Sequence, residues 1–256
     1  MATVRVGMAQ ILVEPGAPER NLERATAAVG ELASRGCVVV VLPECLDLGW
    51  THASAHDLAQ PVPGPTTAVL AEAARRHGVL VAAGITERAG PLIHNSAVLL
   101  SAEGVVLLHH RKIHELDFAR ALYTPGTALA VADTTVGRVG LDICADTSAA
   151  SVGLGHALGL MGARLLVSPS AWAVPPDHDN LATPYGAEWV LPYREVATAH
   201  TMAVVGVSNV GPVVGGDWDG WRCIGASLAV GPDGEILVQG AYGVEQLIAV
   251  DVPVGT

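Results

Sequence analysis

Gly140-Leu141-Asp142-Ile143-Cys144-Ala145-Asp146-Thr147-Ser148 is the stretch around which the chain is organised. An apolar run leads into one thiol, and Asp, Thr and Ser, which favour helix N-caps, follow directly. A cysteine at such a strand-to-helix junction is expected to meet the positive end of a helix dipole, which lowers a thiol pKa from about 8.5 toward neutrality. Because most free cysteines are buried and inert, Cys144 alone is a weak indication of a nucleophile. Its weight depends on partners elsewhere in the chain.

Strands and helices alternate on both sides of this stretch. The pattern before it predicts strands at 3–11, 37–42 and 79–85 and helices at 18–35 and 66–77. From there on it predicts strands at 139–144, 164–168 and 202–208 and helices at 148–161 and 187–200. Two hairpins with similar four-residue turns, at 95–108 and 226–238, indicate two equivalent half-sheets. We therefore expect one α/β domain over residues 1–256, with two packed mixed sheets and the helices outside.

Composition excludes several classes of protein. Half of the 256 residues are hydrophobic and 15% are charged, which is typical of a compact globular protein with a sizeable core. The net charge of -11 argues against a nucleic-acid partner, since phosphate binding needs clustered Lys and Arg. No Walker or GxSxG motif occurs, so the P-loop and serine-hydrolase classes lack support.

The expected location is cytoplasmic, with no membrane partner. No apolar run is long enough to cross a bilayer, and none near the N-terminus resembles a signal peptide. The four cysteines contain no CxxC pair, so reduced thiols are expected instead of disulfides or a metal site.

Two charged residues elsewhere in the chain are candidate partners for Cys144. Glu44 ends the predicted strand 37–42, and Lys112, the sole lysine in the chain, follows the first hairpin. Strand ends are where α/β folds gather active sites, and a carboxylate, an ammonium and a thiol suit nucleophilic acyl chemistry. Each residue alone has an ordinary alternative: a solvated strand end, a surface charge or a core thiol.

Three short motifs contain these residues in order. They are Leu42-Pro43-Glu44, Arg111-Lys112-Ile113 with Tyr123-Thr124-Pro125-Gly126 downstream, and the stretch 140–146. Together they resemble the three signatures of the nitrilase, or carbon-nitrogen hydrolase, superfamily, and the resemblance to its amidase-like branch runs from about residue 4 to about residue 252. Asn95-Ser96-Ala97 and Ser208-Asn209-Val210-Gly211 also match its pattern.

The resemblance implies a four-layer α-β-β-α sandwich, often assembled into dimers or higher homo-oligomers. It also implies a catalytic triad in which Glu44 moves protons, Cys144 forms a thioester, and Lys112 holds the oxyanion with the backbone N–H of Ala145. Neither a metal nor an organic cofactor is implied.

The sequence departs from the family pattern at two places. Many amidases of the family carry a second active-site glutamate beyond the lysine, whereas the stretch 118–121 contains none. Glu115 or Asp117 could take that role, or it is absent. Small residues at 147–150 replace the larger ones that often follow the cysteine in the family.

The substrate pocket is predicted less directly. Trp172 is the first candidate for its wall because it follows the strand after the Cys144 helix, and Trp50 and His52 come next because they follow Glu44. An ordinary core position is the alternative for each aromatic residue.

We expect a cysteine-dependent hydrolase of a small linear amide that releases ammonia or an amine. Nitrile or N-carbamoyl hydrolysis, and acyl transfer, use the same chemistry and stay open. A family member that has lost catalysis and acts as a binding partner is the alternative from another class of protein.

Overall fold

The first sheet contains six strands in the computed structural model, which describes residues 2–255. They are β1 (Ala2–Gln10), β2 (Val39–Val41), β3 (Leu80–Ala89), β4 (Leu92–Leu100), β5 (Val106–Arg111) and β15 (Gln246–Val254). Their order is β15-β1-β2-β3-β4-β5. Strands β1, β2 and β3 are parallel, and the other neighbours pair antiparallel.

A second six-stranded sheet repeats this arrangement. Its strands are β6 (Val131–Thr134), β7 (Gly137–Leu141), β8 (Leu165–Ser170), β10 (Ala203–Ser208), β13 (Leu228–Val230) and β14 (Ile236–Gln239). The order is β14-β13-β10-β8-β7-β6, with β7, β8 and β10 parallel. In each sheet a hairpin extends one edge beside three parallel strands, so the predicted equivalence of the two hairpins is confirmed. A small third sheet joins β9 (Ala173–Val174), β11 (Val210–Pro212) and β12 (Arg222–Ile224).

The longer helices cover the outer faces of the two large sheets. They are α1 (Pro18–Ser34) and α3 (Pro65–His77) on the first sheet, and α4 (Val152–Leu160) and α5 (Ala187–His200) on the second. A short helix, α2 (Ala55–Leu58), lies between β2 and α3. Proline at the first position of α1 and α3 favours their start because it lacks only an N–H that the helix does not use.

The side chains of strand β2 are apolar on both faces, and this pattern shows why the chain forms four layers. Successive strand side chains point to opposite faces: Val39 and Val41 pack in the core between the two sheets, whereas Val40 and Leu42 pack with the residues of α1 and α3. An uninterrupted apolar run therefore suits a strand covered on both sides. The predicted α-β-β-α sandwich of two mixed sheets with helices outside is confirmed.

The predicted strand 139–144 and helix 148–161 differ from the structure. The strand ends at Leu141, a 3-10 helix spans Cys144–Thr147, and α4 begins only at Val152. The Ser151 hydroxyl donates a hydrogen bond to the carbonyl oxygen of Ala145. Serine side chains that bond nearby backbone groups compete with helix formation, which accounts for the late start of α4.

Among residues 2–255, the helices are too short or too polar for any of them to span a lipid bilayer.

Candidate active site

Three strand ends bring the candidate catalytic residues to one cavity. Glu44 follows β2, Lys112 follows β5, and Cys144 follows β7. All three side chains line a cavity of about 200 Å³ and are at most 7% exposed. The structure thus brings together the three residues that the sequence singled out.

Glu44 is fixed through its backbone and its carboxylate. Its N–H donates to the carbonyl oxygen of Ser170 at 3.1 Å, which ties the end of β2 to the second sheet. Strand β3 passes so close that a Cβ at Gly84 would lie 2.5 Å from Glu44 Cα, so only glycine fits there. The Oε1 atom accepts hydrogen bonds from Asn95 Nδ2 at 2.6 Å and from Lys112 Nζ at 2.7 Å.

Lys112 is a buried cation between carboxyl groups. Its Nζ lies 2.7 Å from Glu44 Oε1 and 3.9 Å from Glu115 Oε2. Burial would lower the pKa of this ammonium, but the Glu44 carboxylate helps to raise the pKa well above its usual value. Lys112 therefore stays charged and can hold a developing negative charge.

Cys144 sits in a strained backbone conformation at the start of the 3-10 helix. Its φ of +48° is in the left-handed region, which costs a side-chain-bearing residue roughly 1–2 kcal/mol. Its N–H donates to the Ser168 hydroxyl at 3.1 Å. Such strain persists only where surrounding contacts enforce it, as they do at many catalytic positions.

The expected lowering of the Cys144 pKa by a helix dipole is wrong. Helix α4 begins eight positions later, at Val152, and so lends the thiol no N-terminal dipole. Burial, and next the Glu44 carboxylate, raise the pKa of the Cys144 thiol well above its usual value, although Lys112 opposes them. These surroundings therefore favour the neutral thiol over the thiolate at Cys144.

Asp146 joins the Cys144 turn to the segment that follows Lys112. One carboxylate oxygen accepts from the N–H groups of Ile113 at 3.0 Å and His114 at 2.7 Å. The other accepts from His110 Nε2 at 2.7 Å and from the Ile143 N–H at 3.2 Å. Burial would raise the pKa of Asp146, but His110 keeps the pKa below its usual value. One ionised carboxylate thus fixes two of the three segments that carry the candidate catalytic residues relative to each other.

Glu115, the candidate accessory acid, is buried behind Lys112, whereas Asp117 is fully exposed. Within the described part of the chain, neither Glu115 carboxyl oxygen has a hydrogen-bond partner. Burial raises the pKa of Glu115 to about 8, although Lys112 lowers it. Glu115 is therefore neutral at neutral pH, and Asp117 lies outside the site.

The cavity walls are mainly aromatic. The predicted wall residues Trp50 and Trp172 both line the cavity, together with Trp189, Trp218 and Tyr185. Trp172 stacks on Trp189 with ring centroids 4.9 Å apart, and Trp189 Nε1 donates to the Tyr185 hydroxyl at 2.8 Å. Ala145, whose N–H is the candidate oxyanion donor, also lines the cavity.

The expectation that His52 lines the cavity is wrong. Its Nδ1 lies 2.7 Å from the Ser54 hydroxyl, and its ring packs on Gly16, where a Cβ would lie 2.7 Å from Cε1. The backbone turns through positive φ at Gly49 and Thr51, so Trp50 reaches the cavity and His52 does not.

A wider groove of about 790 Å³ runs between α1 and α3. It lies on the outer side of the first sheet, and its lining contains none of the candidate catalytic residues. We therefore assign the chemistry to the smaller, more enclosed cavity at Cys144.

The sequence indicated Asp146 only as a helix-capping residue and assigned no role in the site to Asn95, Ser168, Tyr185, Trp189 or Trp218. For Asn95 a signal existed, because it lies in the hairpin opposite the segment that leads to Lys112, and its carbonyl oxygen accepts from the Lys112 N–H at 2.8 Å. The aromatic residues come from distant loops and α5, so spacing gave no signal for them.

The carbon-nitrogen hydrolase family model matches residues 5–256 of the chain. Omega-amidase NIT2-B of Xenopus laevis is 28% identical, and the alignment covers 98% of this chain and 89% of that protein. A protein named nitrilase from Pyrococcus abyssi is 30% identical, with 91% and 84% covered.

Solved structures share the fold. A carbon-nitrogen hydrolase from Helicobacter pylori superposes with a TM-score of 0.87 at 24% identity, covering 98% of this chain and 90% of that one. An amidase from Nesterenkonia sp. gives a TM-score of 0.82 at 21% identity, with 98% and 90% covered. The family-model match over nearly the whole chain, with the same fold in these structures, shows that the chain belongs to the carbon-nitrogen hydrolase family.

Proposed function

We propose that the protein hydrolyses the C–N bond of a small linear amide through a thioester on Cys144. The observation that carries the proposal is the buried Glu44–Lys112 pair, 2.7 Å apart, in the same cavity as the Cys144 thiol. Membership of the carbon-nitrogen hydrolase family supports it. So do the names of the relatives, which include omega-amidases and a nitrilase.

The first half of the reaction forms the thioester. Glu44 takes the proton of the Cys144 thiol as the sulfur attacks the amide carbonyl carbon. The carbonyl oxygen becomes an oxyanion, which the Lys112 ammonium and the Ala145 N–H stabilise. The C–N bond then breaks, and the nitrogen leaves as ammonia or an amine with the proton that Glu44 returns.

The second half releases the acid. Glu44 takes a proton from a water molecule, which attacks the thioester carbon, and the same two donors hold the second oxyanion. The C–S bond breaks, the carboxylic acid leaves, and the sulfur regains its proton from Glu44. Neutral thiol and carboxylate are thereby restored, in agreement with the raised pKa of the Cys144 thiol.

Glu115 is the proposed accessory acid. It is neutral below a pH of about 8 and lies 3.9 Å from Lys112 Nζ. A neutral carboxyl orients the ammonium without adding a second negative charge, so Lys112 keeps its positive charge for the oxyanion.

The test is replacement of the nucleophile. Cys144→Ala should lower ammonia release from the best amide by about 10⁴-fold or more. Cys37→Ala is the control and should not lower it, because Cys37 is a buried thiol in the core between the first sheet and the helices α1 and α3. Mass spectrometry of the wild-type protein mixed with substrate should find the acyl group on Cys144. Undiminished ammonia release by Cys144→Ala would contradict the proposal.

A substrate panel separates the variants of this chemistry. An amide, the corresponding nitrile and the corresponding N-carbamoyl compound are compared for ammonia release by the wild-type protein. We expect the amide to have the highest kcat/KM. Release from the nitrile or the N-carbamoyl compound alone would move the assignment to that substrate class.

We also propose that the protein forms a homodimer through the α4–α5 layer. Apart from His156, α4 consists of Val, Leu, Ala and Gly, and a helix that is apolar on every side is normally buried. Yet Leu160 is 80% exposed, and Leu191 on α5 is 68% exposed. A second copy of the chain would cover these side chains.

A cytoplasmic location is part of the same proposal. The cysteines of the described residues are Cys37, Cys45, Cys144 and Cys223, and all are free and buried. Free thiols are the usual state in a reducing compartment, and fractionation of cells that produce the protein tests the location.

A further inference from the structure

The cavity at Cys144 holds very little positive charge. Among the residues that the structure describes, Lys112 and His114 are the basic ones in its lining, and no arginine lines it. Lys112 is therefore the one lysine or arginine side chain that a substrate would meet in the described lining.

The Lys112 charge is already engaged. Its Nζ is 2.7 Å from Glu44 Oε1 and 3.9 Å from Glu115 Oε2, and the oxyanion needs the same ammonium during the reaction. Neutral donors in the lining, such as the Ser148 and Tyr185 hydroxyls, cannot neutralise a charge. A carboxylate on the substrate would therefore lose its hydration without a free lysine or arginine in the described lining to pair with it.

The walls suit an apolar group of limited size. Four indole rings and the small side chains of Ala145, Ala150, Ala171 and Ala173 make up most of the lining. Its volume is about 200 Å³, and an apolar cavity of about 150 Å³ holds one benzene molecule. The space therefore fits an amide group with a branched or aromatic acyl chain of a few carbon atoms.

We infer that the site takes amides with an uncharged, apolar acyl group and rejects amides whose acyl chain carries a carboxylate. As a statement about turnover, this inference rests on the proposed amide hydrolysis. As a statement about the cavity, it rests on the lining alone and can be tested by binding.

The test compares two amides of similar shape. In succinamate a carboxylate ends the acyl chain, and in isocaproamide an isopropyl group takes its place. We expect isocaproamide to have at least about a 100-fold higher kcat/KM, because an unpaired buried charge is strongly disfavoured. Equal turnover of both, or preference for succinamate, would overturn the inference and leave the proposed hydrolysis standing.

A positive charge added at the entrance of the cavity should change the preference between the two amides. Ala150 lines the cavity and is exposed, whereas its exposed neighbour Ala149 does not line it. Ala150→Arg should reduce the ratio of kcat/KM for isocaproamide to kcat/KM for succinamate by about tenfold or more, since a nearby guanidinium pairs with carboxylates. Ala149→Arg is the matched control and should leave the ratio unchanged. An equal effect of both variants would point to general attraction and count against the inference.

Binding separates this inference from the proposed function. Four of the five tryptophans of the chain line the cavity, so quenching of tryptophan fluorescence reports ligand entry in Cys144→Ala. Saturable quenching by isocaproamide and none by succinamate supports the selectivity even if neither amide is hydrolysed by the wild-type protein. Quenching by succinamate at equal or lower concentration refutes it.

Discussion

The protonation state of the buried Glu115 carboxyl group affects the stability of the fold. Burial raises its pKa to about 8 from the ordinary value of 4.5. Between these two pH values the folded chain binds a proton that the unfolded chain does not, so the free energy of unfolding falls as pH rises. The fall is at most about 1.4 kcal/mol per pH unit and is complete above the folded-state pKa.

Glu115→Gln should remove this dependence. Near pH 5 the variant and the wild-type protein should have similar free energies of unfolding, and near pH 8 the variant should be more stable by a few kcal/mol. Urea unfolding at both pH values measures the difference, and subtracting the wild-type values cancels the contribution of Asp47 and Asp142, whose pKa values burial also raises. A difference that does not change with pH would show that Glu115 is ionised throughout.

At the scale of single residues, the sequence predicted which candidate residues meet in the cavity better than it predicted the environment of each residue. Glu44, Lys112 and Cys144 were identified by residue type, strand ends and motif order, and all three line the cavity. The thiol pKa was predicted in the wrong direction because it depends on burial and on Glu44, which lies 100 positions away in the chain. His52 was misplaced because its side-chain direction depends on the positive φ of Thr51, which composition does not reveal.

At the scale of elements, the Asp146 carboxylate couples the end of β5 to the turn that holds Cys144. Four hydrogen bonds reach it: three from backbone N–H groups and one from His110. The sequence indicated Asp146 only as a helix-capping residue, since the pattern does not show that 113–114 lies beside it. Its actual role depends on the packing of the two sheets.

Asp146→Asn should loosen this connection. An amide has one acceptor oxygen, so its NH₂ group would face either His110 and the Ile143 N–H or the N–H groups of Ile113 and His114. We expect a loss of about 1.5–3 kcal/mol in unfolding free energy and a kcat lower by roughly 10- to 100-fold, because small misplacements of catalytic groups are costly.

Asp133→Asn is the matched control for this change. Asp133 is an exposed carboxylate on β6 paired with Arg138, and its loss should leave both the free energy of unfolding and kcat essentially unchanged. A fully active Asp146→Asn protein would show that Asp146 does not position the segments that carry Lys112 and Cys144.

At the scale of the whole molecule, the doubled architecture was predictable and its outer surface was not. Apolar runs and two similar hairpins predicted two equivalent sheets, because a strand buried on both faces appears in the sequence as an uninterrupted apolar run. The surface of α4 leaves no such signal. Its sequence reads as a buried helix, and only the structure shows that the second sheet covers one side of it.

The exposed apolar side of the α4–α5 layer leads to the last prediction. In solution the wild-type protein should have about twice the 26.2 kDa mass of one chain, because a solvated apolar helix surface is unfavourable. Replacing both Leu160 and Leu191 by Asp puts charges at the two most exposed leucines of that layer. We expect the double variant to sediment as a monomer at concentrations where the wild type is a dimer.

Val105→Asp is the matched control, because Val105 is also an exposed apolar residue but lies in the turn between β4 and β5. It should sediment like the wild type. A dimer that survives both aspartates would move the interface to another surface, and a monomeric wild type would refute the dimer. Since Cys144 lies in the short 3-10 helix that packs against α4 and α5, activity measured on the monomeric variant also tells whether dimer contacts help to hold the nucleophile in place.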